Sequence, residues 1–132
     1  MAGYSGTPLP RKLGVRPEHR VLLVDLPDDV RLDLPDGATV HRRAGTAPYD
    51  LALAFCPDRA RLERRFVPVA EHIGRDGTLW IAWPKRASGL ATDLDENVVR
   101  DHGLAAGLVD VKVIAIDTTW SGLKFVYRLA DR

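Results

Sequence analysis

Cysteine is almost absent: the chain has one, Cys56. A single thiol cannot form a disulfide framework, so the fold must rest on its core. With no secretory pattern in the first residues either, the expected compartment is the cytoplasm. No apolar run approaches the length of a membrane span, so no membrane partner is expected. The formal net charge is only +1. That small excess argues against a dedicated nucleic-acid binder, although it leaves room for a local basic patch. His19, His41, His72 and His102 show no metal-ligand spacing with each other, with Cys56 or with carboxylates, so no metal site is expected. The first strand-like run is not followed by a glycine-rich phosphate loop; that turn reads Asp25-Leu26-Pro27-Asp28-Asp29. Pro27 lacks an N–H, and the aspartates repel an anion.

The hydrophobic residues, 45% of the 132, are enough for one core in one domain. Residues 1–13 read as an irregular arm and 14–132 as the domain. Val21 to Asp25 is a short, unbroken apolar strand of the kind covered on both faces. Asp29 to Leu34 holds at most a turn or two of helix, and Ala38 to Arg42 is a second strand. Tyr49 to Cys56 is a third, followed by a helix that Asp58 caps. Leu62, Phe66, Val69, Ala70 and Ile73 form its apolar face, and Pro68 predicts a kink. Thr78 to Trp83 is the fourth strand. Asp93 and Glu96 have capping-box spacing for a helix ending near Gly107. Val109 to Asp117 and Leu123 to Leu129 close the chain as two strands joined by a tight link, hence antiparallel. This alternation predicts an α/β fold: a mainly parallel Rossmann-like sheet, helices on both faces, and a C-terminal antiparallel hairpin strand.

The pattern from Val21 to Leu129 resembles a truncated class I methyltransferase-like Rossmann fold. Tyr49 to Phe55 and Asp76 to Ile81 are similar to the middle strands of such enzymes. More specifically, five words resemble those of a family of short bacterial proteins catalogued as a domain of unknown function. They are Gly3-Tyr4-Ser5-Gly6-Thr7-Pro8-Leu9, Leu79-Trp80-Ile81-Ala82-Trp83-Pro84-Lys85, Thr92-Asp93-Leu94, Gly107-Leu108-Val109-Asp110-Val111-Lys112 and Trp120-Ser121-Gly122-Leu123-Lys124. The resemblance implies a fold and a lineage, not a reaction. The sequence departs from active methyltransferases at the first turn, lacks one strand–helix unit, and carries His41, Arg42 and Arg43 where an acidic residue would hold a ribose. S-adenosylmethionine is therefore not expected as a cofactor.

Trp83-Pro84-Lys85-Arg86 and Trp120-Ser121-Gly122-Leu123-Lys124 draw attention as a site. In a parallel sheet, ligands bind beyond the carboxyl ends of the strands. The expected rim there collects Asp25, His41, Cys56, Trp83 to Arg86, and Asp117 with the Trp120 turn. The candidate ligand-binding residues are Trp83, Lys85, Arg86, Trp120, Ser121 and Lys124, with Tyr4 and Ser5 of the arm as a lid. The tryptophans would wall a cleft and the cations would hold an anion. Packing against the core is the competing reading for Trp83 and Trp120, and the preferred one for Trp80. Cys56 reads as a small buried hydrophobe, and no catalytic group is singled out. Arg59, Arg61, Arg64 and Arg65 read as a solvated helix face. The expectation is a non-enzymatic binding or scaffold module for a small anionic ligand or a protein partner. A divergent S-adenosylmethionine-dependent methyltransferase and nucleic-acid binding through the arginine-rich helix are the alternatives. The open sheet edges leave a homodimer open.

Overall fold

Strand-forming runs in this chain are short, apolar and separated by proline, glycine and aspartate, and each forms a strand. The computed structural model describes residues 7–132. Its elements are α1 (Leu9–Leu13), β1 (Arg20–Val24), β2 (Thr39–His41), β3 (Tyr49–Phe55), α2 (Arg59–Ala70), β4 (Ile73–Pro84), α3 (Glu96–Ala105), β5 (Leu108–Ala115) and β6 (Trp120–Tyr127), with 3-10 turns at Arg86–Ser88 and Leu129–Asp131. The six strands make one sheet in the order β2-β1-β3-β4-β6-β5.

Helix α2 begins where the sequence says it should, with Asp58 accepting a hydrogen bond from Arg61 N at 2.8 Å. It stays in one piece, because Pro68 falls in its last turn. The α3 cap is Asp95, whose carboxylate accepts from Val98 N. Asp93, expected to cap α3, instead accepts from Arg59 N at 2.7 Å and so closes the start of α2. Part of the expected irregular arm, Leu9–Leu13, is helical.

The expected mainly parallel sheet with helices on both faces does not form. The sheet is mixed: β2–β1, β1–β3 and β3–β4 are parallel, while β4–β6 and β6–β5 are antiparallel. Both long helices lie on one face, where Leu62, Phe66, Val69 and Val99 pack on Ala52, Ala54, Leu79, Ile81 and Phe125. The other face is covered by Leu13, Val15 and Val30, with Leu32 and Leu34 at its margin. The reason lies in the β1–β2 connection. Asp29 to Leu34, read as a helical turn or two, forms no helix; Pro27 and Pro35 bracket a turn and an extended run. Extended chain therefore does there what a crossover helix does elsewhere.

A second consequence concerns the return from β2 to β3, which are parallel neighbours of β1 on its two sides. Parallel returns usually need a dozen or more residues. Here residues 42–48 suffice because β2 is only three residues long. This short return is pinned by Tyr49, which is buried in the helix-side core. Gly45 N donates to the Tyr49 hydroxyl at 2.8 Å, and that hydroxyl lies 2.5 Å from His41 Nδ1.

Candidate functional site

The two tryptophan words meet across β4 and β6, but their rings do not meet. Pro84 pairs with Trp120, and Trp83 with Ser121. Opposed residues share a face and successive residues alternate, so Trp83 and Trp120 point to opposite sides of the sheet. Trp83 joins the helix-side core and Trp120 the other core, stacked edge-on to Phe55. They retain 4% and 7% of their exposure and lie on opposite faces, so the two rings do not wall one cleft together. Trp80 is wholly buried and donates Nε1–H to Leu13 O at 2.9 Å.

The other expected residues scatter. Lys85 fixes the β5–β6 turn through its backbone, its N–H donating to Thr119 O at 2.7 Å. Arg86 and the edge of Trp83 line a cleft shared with Asp93 and Asp95, whose carboxylates disfavour an anion. Ser121 stands opposite Trp83 in the ladder. Lys124 stands opposite Trp80, four positions along β4 from Pro84, or about 13 Å at strand rise. It therefore cannot share a ligand pocket with Lys85 at the rim. Tyr4 and Ser5 lie outside the described residues.

The rim does carry a basic site, at its other end. Because the β1–β2 connection runs over the far face, the helix-side surface of β1 and β2 has no helix of its own. Helix α2 packs over β3 and β4 and leaves a shelf beside it. The 42–48 return crosses this shelf. The result is a cleft of about 520 Å³ with Leu22, Val24, Pro68 and Val69 as apolar surface and Arg42, Arg43 and Arg65 as its cations. His72 also lines it, and Asp25 is its carboxylate.

Asp25 directly follows β1 with φ of +57°, a left-handed conformation that aspartate tolerates better than most residues. That turn aims its carboxylate at α2, where Arg61 Nη1 and Arg65 Nε each approach Oδ2 at 3.0 Å. Positions 61 and 65 are one helical turn apart, so both guanidiniums reach the same point. Two arginines of the expected solvated face are thus committed to the end of β1. The carboxylate occupies the place where a glycine loop would let a cofactor approach.

Cys56 lies beneath this cluster, fully buried, its N–H donating to Ala82 O at 2.8 Å. Burial, reinforced by the charge of Asp25, pushes its thiol up to about 12 against the partial opposition of Arg61 and Arg65. A thiol in that state is no nucleophile at neutral pH, which agrees with reading it as a core residue.

No family model matches the chain, and no curated protein does. The resemblances read from its words therefore rest on those words alone.

Arg42 and Arg43 are the residues that sequence reasoning placed but did not use. They stand where an acidic residue would hold a ribose, although two guanidiniums at a strand's carboxyl end are themselves a signal for an anion. Among the described residues no helix is long and apolar enough to cross a membrane.

Proposed function

We propose that the protein is a cytoplasmic, non-enzymatic binding module that takes a small anionic molecule in the cleft between α2 and the 42–48 return. The observation that carries this reading is the imbalance of charge in that cleft. Three guanidiniums line it against one carboxylate, and Asp25 is already shared between Arg61 and Arg65. A guanidinium presents a planar fork of N–H donors that matches carboxylate and phosphate oxygens two at a time. The apolar shelf of Leu22, Val24 and Val69 supports the organic part of such a ligand, and the volume suits a molecule of modest size. The reading gives S-adenosylmethionine no role, since Asp25 and its arginines fill the turn after β1.

Pyrophosphate and citrate are suitable probes, titrated by calorimetry and by thermal shift at low salt. The expected result is saturable binding that raises the melting temperature. In the Arg42→Ala/Arg43→Ala variant that binding weakens by about 10-fold or more, the loss of at least one charge-assisted contact. Arg64→Ala, which removes a cation of the same helix outside the cleft, leaves it unchanged. Absence of binding, or equal weakening by Arg64→Ala, overturns the proposal.

A further inference from the structure

A second feature lies at the opposite end of the strands. A cleft of about 310 Å³ opens beside the amino ends of β3 and β4, and Lys124 of β6 reaches into its lining. Lys124 is half-buried. Its strand neighbours explain why: Trp80 stands opposite it on β4, fully buried, and Lys112 stands opposite it on the edge strand β5. Among the described residues, the ion pairs of the protein are Arg61 and Arg65 with Asp25, and Arg100 with Glu96 and Asp110, so Lys124 has no carboxylate partner within 4 Å. It lines the cleft without a salt bridge. The charged form is disfavoured, by burial first and by Lys112 second, and the amine's proton is held more loosely than usual. The charged or titratable groups that share the cleft with it are His19, Tyr49, Asp50, Arg75 and Asp76. Asp50 is occupied by Arg20 N at 2.8 Å, and Arg75 lies over the Tyr127 ring.

We propose that Lys124 is a covalent attachment site, a nucleophilic amine that condenses with a small aldehyde or ketone admitted to this cleft. The lone pair of the neutral Nζ forms a bond to the carbonyl carbon, giving a carbinolamine. The carbon–oxygen bond then breaks, and the two amine hydrogens depart with that oxygen as water, leaving an imine. No oxidant or reductant is consumed. A half-buried lysine without an ion pair, opposite a second cation in the strand ladder, is an arrangement that raises the share of neutral, nucleophilic amine. Lys12, Lys85 and Lys112 do not line the cleft. The inference does not depend on the arginine cleft at the other rim.

The test is trapping with glyoxylate and cyanoborohydride at pH 7 on the full chain, followed by peptide mass mapping of the carboxymethylated lysines. Lys124 is expected to be modified about 5-fold or more faster than Lys85, as the amine that holds its proton more loosely reacts first. Lys112→Gln, an exposed edge-strand change, is expected to slow Lys124 at pH 7 and leave Lys85 unaffected. A purely structural lysine would not respond to that substitution. Modification of Lys124 no faster than Lys85, or an unchanged Lys124 rate in a folded Lys112→Gln variant, overturns the proposal.

Discussion

The hydroxyl of Tyr49, at the start of β3, lies 2.5 Å from Nδ1 of His41, at the end of β2. The same oxygen accepts from Gly45 N. One buried phenol thus ties both ends and the middle of the return that carries Arg42 and Arg43. Tyr49→Phe keeps the ring and removes the tie. It is expected to cost about 0.5–1.5 kcal/mol in urea denaturation, the net worth of a hydrogen bond whose partners, half-buried His41 and exposed Gly45, can turn to water. It should also weaken pyrophosphate binding, by loosening the return that carries Arg42 and Arg43. Unchanged affinity would show that Arg42 and Arg43 are held by other means.

Asp25→Asn tests the charge argument from the other direction. Asparagine accepts the left-handed backbone at this position, so the shape is kept while one negative charge is lost. Arg61 and Arg65 are then free of their ion pair, and affinity for an anion should rise about 5-fold or more at low ionic strength, fading as salt is added. A fall in affinity would mean that Asp25 organises the arginines more than it neutralises them.

Gly103 measures how closely α3 approaches the sheet. A Cβ built there would lie 2.0 Å from Phe125 Cε1, inside a core where Phe125 also packs edge-on to Phe66. Gly103→Ala gains about 1 kcal/mol of helix propensity. The overlap costs about 2–3 kcal/mol or more, so the variant should be the less stable protein. Phe125→Leu in the same chain should recover part of the loss, as judged by denaturation midpoints.

Cys56 sets a signature at high pH. Its thiol is raised from 9.0 to about 12, so the folded protein holds the proton after the unfolded chain has released it. The contribution to stability is full below pH 9 and is lost as pH rises from 9 towards 12. The slope approaches about 1.4 kcal/mol per pH unit within that window. Cys56→Ala should show a shallower decline, so the difference between the two curves isolates the thiol from the tyrosines and lysines that titrate nearby. In the native state the thiol should resist iodoacetamide at pH 8 and react once the protein is unfolded.

Some of this architecture was legible in the sequence. Val21–Val24 and Leu51–Phe55 are apolar without alternation because both faces of those strands are covered, and Asp58 announces α2 unaided. The hairpin of β5 and β6 follows from the shortness of its link. The placement of the helices was not legible, since the alternation of elements suggests a helix for each face. Only the path of residues 26–38 shows that one face is covered by extended chain. Capping was ambiguous because Asp93 and Asp95 both precede α3; the register between two loops assigns Asp93 to α2. For the tryptophans the missing quantity was also a register. With Pro84 opposite Trp120, the two rings are out of phase by one residue. One step of slip would have put them side by side.

The strand order has a bearing on how the chain assembles. Strand β6 follows β5 in sequence but lies between β5 and β4 in the sheet. Until β6 has entered, β5 has no neighbour to pair with, and β4 presents an open edge beside Trp80 and Trp83. Pairings between segments this far apart form slowly, and an unfilled edge of apolar strand invites a second molecule. Recovery on refolding should therefore fall as the protein concentration rises.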